Sequence, residues 1–195
     1  MTVRDSARKL GLATLGTVIA VAVGAAGASA QTDTGGSGPP GSPVGTPPTT
    51  TGTPGVATLL PDGTAVPPSN APNAVRFAIA AANRIHTRPY IWGGGHRRWK
   101  SKGYDCSGAV SYVLHAAGIM PAPLVSGQLA RIWGASGTGL WITVYANKTH
   151  TFAIIAGLRW DTSSVGETVN QGSGPRWRYT IRATTGYASR YFPGL

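Results

Sequence analysis

Apolar positions first recur at helical spacing at Val75, Ala78, Ile79, Ala82 and Ile85, a stripe that predicts a helix opening at Asn73, which can cap its start. Pro89 ends that segment and leads into Tyr90-Ile91-Trp92-Gly93-Gly94-Gly95, aromatic residues closing in a glycine turn. A second stripe of Ala109, Val110, Val113, Leu114 and Ala117 stops at Gly118 and predicts a helix with Cys106 at its N-terminus. Beyond residue 139 the pattern becomes strand-like. Leu140–Tyr145, Thr151–Ala156 and Arg159–Thr162 read as strands, with Ala156-Gly157-Leu158 as a turn and Trp177–Ala183 as a further strand. Helices followed by strands predict one α+β domain over residues 73–195.

The N-terminal part has a different texture. Arg4, Arg8 and Lys9 precede an uncharged run from Leu10 that ends in Ala28-Ser29-Ala30, a small-x-small cleavage site. Residues 1–30 are therefore expected to be a secretory signal, which places the mature protein outside the cell or in its envelope. An uncleaved anchor is the competing reading, because Leu10 to Ala30 is long enough to span a bilayer. The Ala, Gly and Ser of its second half favour cleavage, and no stable membrane insertion is expected after it. Residues 31–72 carry ten of the fifteen prolines with many Gly, Thr and Ser. Such a composition predicts an extended, disordered tether.

Charge narrows the partner. Lys and Arg number 17 against 6 Asp and Glu, for a net +11. In 73–195 the only acids are Asp105, Asp161 and Glu167. Such an excess suits anionic wall polymers or nucleic acid. Trp99, Trp177 and Tyr179 among basic residues could form a stacking surface, but export argues against a nucleic-acid partner.

One cysteine excludes an intramolecular disulfide and leaves a buried filler, an intermolecular link or a working thiol. The unpaired N–H groups of a helix start would stabilise the Cys106 thiolate. Gly103 and Gly108 would let substrate or neighbouring backbone come close. Four histidines could serve as base. His115, nine residues past Cys106, falls on the opposite side of the helix. His86 suits a helix C-terminus, and His96 sits in a basic loop that could lie near the site. His150 opens an apolar strand, a rigid mount for a working imidazole. No metal or cofactor is expected, because one cysteine and scattered histidines lack ligand spacing.

The segment Tyr90-x-Trp92-Gly93-Gly94, followed by Asp105-Cys106-Ser107-Gly108 at a helix start and by a His-led strand hairpin, resembles the NlpC/P60 family of cell-wall peptidases over roughly residues 71–165. The resemblance implies a papain-like fold, with the helix-start cysteine packed on an antiparallel sheet. It also implies that Cys106 attacks peptide carbonyls, that His150 takes the proton, and that a third polar residue orients His150. Tyr90 is implied to line the site, and Asp105 and Ser107 to help bind the peptide. The implied substrates are peptidoglycan stem peptides, cut between D-isoglutamate and the diamino acid; separately, a monomer is expected.

Two positions depart from the family pattern. The usual Gly-Asp-Leu segment is replaced by Trp141-Ile142-Thr143-Val144-Tyr145, and no His, Asn or Gln falls at the third catalytic position. Asp161 is the nearest chemical substitute. A turn at Gly157-Leu158 would pair Ile154 with Asp161 and set Asp161 on the His150 face, several residues along the strand. Direct contact would then need strong twist or a bulge. Thr162 and Ser163 stay open as alternatives. A wall-binding module without chemistry, an amidase and an acyltransferase are the competing functions.

Overall fold

The computed structural model describes residues 53–167, 172–179 and 182–195. The expected signal at 1–30 and the first part of the expected tether lie outside the described residues.

Residues 53–72 do not form the tether that their proline content suggests. They fold back as a hairpin of β1 (Thr58–Leu59) and β2 (Ala65–Val66), whose turn is closed by Asp62 Oδ1 accepting the Thr64 N–H at 2.8 Å. Ala57, Ala65 and Ala71 are buried. The Ala57 N–H donates to Ala156 O at 2.8 Å. The folded region therefore begins before Asn73. Its prolines stand outside the strand residues, and its alanines supply apolar contact without a periodic stripe.

Asn83 anchors this hairpin to helix α1 (Asn73–Ile85) by accepting the Ala65 N–H at 2.9 Å and donating Nδ2–H to Ala65 O at 2.8 Å. The buried stripe of α1 is Val75, Ala78, Ile79, Ala81, Ala82 and Ile85. Pro72 occupies the N-cap position, and no side chain caps the helix; Asn73 is its first helical residue. Proline suits a helix entrance because its missing N–H has no intrahelical partner there anyway.

Helix α2 (Cys106–Ala116) ends as its sequence dictates. Gly118 takes φ +77, and the Gly118 and Ile119 N–H groups donate to His115 O and Leu114 O at 2.9 and 3.1 Å. That left-handed glycine closes the orphan carbonyls of the last turn. A six-residue helix α3 (Ser126–Arg131) follows, unforeseen in the sequence.

The remaining strands are β3 (Ala135–Ser136), β4 (Ile142–Ala146), β5 (Thr151–Ile155), β6 (Leu158–Asp161), β7 (Arg176–Arg178) and β8 (Ala188–Tyr191). They form one antiparallel sheet in the order β3-β8-β4-β5-β6-β7. β7 is shorter than the expected Trp177–Ala183, of which residues 180 and 181 lie outside the described residues.

Trp160 and Trp177 face each other across β6 and β7 with ring centroids 5.1 Å apart. A buried indole N–H needs an acceptor. Trp160 Nε1 donates to Ala109 O of α2 at 3.3 Å, and Trp177 Nε1 to Asn83 Oδ1 of α1 at 2.8 Å. Each indole removes about 200 Å² from water, worth at most roughly 5 kcal/mol before ordering entropy. The architecture is α+β, with the cysteine at a helix start packed on an antiparallel sheet.

Candidate active site

Cys106 is the first residue of α2 and is 7% exposed. Asp105 caps the helix by accepting the Gly108 N–H on Oδ1 at 2.7 Å, while the first-turn N–H of Cys106 has no intrahelical partner by position. The glycines of this segment bring backbone against backbone. A Cβ on Gly108 would sit 1.9 Å from Gly94 O, and one on Gly94 2.3 Å from Gly103 O. The Tyr90–Gly95 loop is thereby seated directly on the start of α2, and the Asp105 N–H donates to Gly94 O at 3.3 Å.

His150 is delivered by a tight turn into β5. Asn147 Oδ1 accepts the N–H groups of Thr149 and His150, each at 2.9 Å, and the Asn147 N–H returns to His150 O at 3.0 Å. The ring's Nε2 donates to Asp161 Oδ1 at 2.9 Å. The β5–β6 turn lies at Ala156-Gly157, with φ of 46° and 80°, instead of at Gly157-Leu158. Ile154 consequently pairs with Arg159, and the register brings Asp161 two residues nearer to His150 than the expected pairing. No bulge is required.

Asp161, itself buried, is held in turn by three neighbours. The Ser163 N–H donates to Oδ1 at 2.9 Å and Arg182 Nη1 to Oδ2 at 3.1 Å, while Arg159 Nε lies 3.6 Å from Oδ2. The Arg182 guanidinium carbon sits 5.2 Å over the Phe152 ring and 5.5 Å over that of Tyr187. Of the three residues considered as partner to His150, Asp161 makes the bond, and Ser163 supports Asp161 through its backbone.

The charges favour an ion pair at the thiol. Burial pushes the Cys106 thiol up, but hydrogen bonds from His150 and Ser126 and the charge of His150 outweigh it and leave the thiol below its ordinary value. Burial likewise opposes the charged form of His150. Bonds to Asp161 and Cys106, with their charges, overcome this and hold His150 up at about 9. Burial raises Asp161, yet His150, the Ser163 N–H and Arg182 bring its carboxyl below the usual range. Both shifts favour a thiolate beside an imidazolium, the state from which a cysteine can attack an acyl carbon.

A cavity of about 870 Å³ opens over the thiol, lined by Tyr90, Asp105, Cys106 and Ser107 among others. That volume is in the range of small-ligand sites. Tyr90 is 41% exposed, as a residue facing substrate must be. Asp105 and Ser107 face inward to each other: Ser107 Oγ donates to Asp105 Oδ1 at 3.1 Å, and the Gly93 N–H to Oδ2 at 3.0 Å. His115 is remote, stacked on Trp99 with centroids 3.9 Å apart, and His86 bonds Asn83 O at the end of α1. Among the described residues no cluster of three or more His, Cys, Asp or Glu converges as a metal site.

Sequence reasoning missed two members of this site and left a third without a role. Ser126 Oγ, at the start of α3, lies 3.5 Å from Cys106 Sγ. Arg182 is 21 residues from the aspartate it holds. His96, expected in a basic loop that could lie near the site, places Nε2 at 3.1 Å from both Asp105 Oδ1 and Ser107 Oγ.

No protein-family model matches the chain. Over 72 residues it is 36% identical to the peptidoglycan endopeptidase RipB of Mycobacterium tuberculosis, a match covering 32% of this chain and 30% of that protein. The chain thus aligns with less than a third of the curated relative's length. Among solved structures, the peptidoglycan hydrolase RipB of Mycobacterium tuberculosis is 22% identical with a TM-score of 0.46, covering 64% of this chain and 68% of that chain. A hypothetical invasion protein of the same organism is 24% identical with a TM-score of 0.44, covering 60% and 62%. The helix-start Asp105-Cys106-Ser107-Gly108 motif, the α+β fold and the sequence similarity to RipB together bear out the chain's resemblance to the NlpC/P60 family of cell-wall peptidases.

Proposed function

We propose that this chain is a secreted peptidoglycan hydrolase, a monomeric cysteine endopeptidase that cuts stem peptides between D-isoglutamate and the diamino acid. The observation that carries the reading is the 2.9 Å bond from His150 to a buried Asp161, on a histidine that shares hydrogen bonding and charge with Cys106. The similarity to the endopeptidase RipB supports the choice of peptidoglycan as substrate.

In this mechanism the Cys106 thiolate attacks the scissile carbonyl, and the first-turn N–H of Cys106 donates to the oxyanion. His150 transfers its proton to the departing amine as the carbon–nitrogen bond breaks, leaving a thioester on Cys106. The now neutral imidazole takes a proton from water, whose oxygen attacks the thioester; the peptide acid leaves and the thiolate–imidazolium pair is restored. Asp161 keeps Nε2 protonated throughout and stabilises the imidazolium.

Residues 1–30 act as the secretory signal in this reading, and the remaining chain, with 14 Lys and Arg against 5 Asp and Glu, carries a net +9 that draws the enzyme to anionic wall polymers. Incubating purified muropeptides with the wild type and with Cys106→Ala, then identifying fragments by mass spectrometry, tests the proposal. Cleavage at the isoglutamyl bond by the wild type alone is expected. Intact muropeptides with both proteins would sink the enzyme reading, and release of whole stem peptides from muramic acid would make the protein an amidase.

A further inference from the structure

We infer that His96 is a substrate-binding residue, donating an N–H to a carboxylate of the substrate beside Cys106, and that Asp105 serves as its holder. The inference rests on the hydrolase reading for the identity of the substrate. Its physical basis is the saturation of Asp105. Oδ1 receives the Gly108 N–H at 2.7 Å, Ser107 Oγ at 3.1 Å and His96 Nε2 at 3.1 Å, and Oδ2 receives the Gly93 N–H at 3.0 Å. A carboxylate with both oxygens so engaged, and only 8% exposed as a residue, has little capacity left for a ligand.

His96 is placed differently. Its side chain keeps 19% exposure and lines the cavity over the thiol. Nε2 is committed to Asp105 and Ser107, so Nδ1 is the ring's remaining polar atom, and no partner for it occurs among the described residues. The bond and charge of Asp105, opposed by burial, favour the protonated ring, in which Nδ1 carries a hydrogen. The surrounding charges point the same way. Arg131 and Lys148 line the cavity with His96, and Asp105 is the only carboxylate among its described lining residues. A γ-linked isoglutamate retains a free α-carboxylate close to its scissile carbonyl, which is the acceptor such a donor fits.

Calorimetric binding to the Cys106→Ala protein separates this role from a structural one. Two stem peptides are compared, one with the isoglutamate α-carboxylate free and one with it amidated, in the presence and absence of His96→Gln. A charge-assisted bond of the usual strength predicts that His96→Gln weakens the free-carboxylate peptide about ten- to hundred-fold. The amidated peptide should bind both proteins equally. An unchanged melting temperature establishes that the variant is folded. Equal loss on both peptides, no loss on either, or no measurable binding of the free-carboxylate peptide overturns the inference. So does a selective loss found in Arg131→Gln or Lys148→Gln in place of His96→Gln. Cleavage by the wild type is followed separately. Selective binding without cleavage would sink the hydrolase reading and leave the His96 site standing, while cleavage without selectivity would do the reverse.

Discussion

His150 Nε2 and Asp161 Oδ1 stand 2.9 Å apart because the β5–β6 hairpin turns at Ala156-Gly157. Two consecutive positive-φ residues give a hairpin turn whose twist matches its strands, and Ala156 accepts that conformation with φ 46°. Moving the turn by one residue would slide Asp161 along β5 and break the contact without changing its face.

The first prediction concerns the charge at that contact. Asp161→Asn preserves shape but removes the anion that holds His150 protonated, so the His150 pKa should fall from about 9. Turnover of muropeptides should drop by roughly 10² to 10⁴, the range for loss of effective acid–base function. An NMR titration of the His150 ring and a kcat measurement check both parts. An unchanged histidine titration would contradict the assignment of Asp161 as its partner.

The pH response follows from the same pair. Activity should rise on the acid side as the lowered Cys106 thiol ionises and fall on the alkaline side as His150 loses its proton near 9. Stability carries its own sign. His150 is raised on folding, so its contribution is full below its unfolded value of about 6.5 and is lost as pH climbs through about 9. Asp161 is lowered, so its contribution is present above its unfolded value and is lost as pH falls through the folded one. The rate of Cys106 alkylation against pH should show an inflection below the ordinary thiol range; a free-thiol profile would contradict the ion pair.

Cys106 was readable because everything that defines it is local: the Asp105 cap, the apolar stripe behind it and the flanking glycines lie within a few turns of chain. Asp161 was readable in face but not in distance, since period two fixes the face whereas one residue of turn placement fixes the register. Ser126 was invisible for another reason. α3 has only six residues and two buried side chains, too few to make a periodic stripe. Arg182 and His96 act through long-range polar contacts, which leave no pattern in the chain. The β1–β2 hairpin was misread because proline content outweighed three buried alanines whose partners are distant in sequence.

Gly108 gives a steric prediction. A Cβ there would lie 1.9 Å from Gly94 O, a backbone atom that cannot swing aside. Gly108→Ala should therefore push the Tyr90–Gly95 loop off the start of α2, misplacing Tyr90 and Cys106 together. Turnover should fall by about 10²-fold, as misplacement of about an ångström can cause. Helix propensity alone would favour alanine by about 1 kcal/mol, so a stabilised, fully active variant would contradict the close packing.

Asn83 tests whether the hairpin belongs to the folded domain. One side chain accepts from Ala65 N and Trp177 Nε1 and donates to Ala65 O, joining β2, α1 and β7. Replacing it by alanine strands a buried indole N–H and a largely buried backbone pair. Each unsatisfied group costs about 1–3 kcal/mol, so with three groups stranded Asn83→Ala should lose at least about 3 kcal/mol in chemical denaturation. Asn83→Asp separates polarity from packing. It retains the acceptor for Trp177 Nε1 and Ala65 N, and when protonated its second oxygen also restores the donor to Ala65 O, so its cost should shrink as pH is lowered through the carboxyl's titration. Removing residues up to Pro72 should destabilise the domain at least as much as Asn83→Ala, because Ala57, Ala65 and Ala71 leave the core as well. If that truncation melts like the parent, the segment is a tether after all, and the hairpin contributes nothing to holding the β5–β6 turn in register.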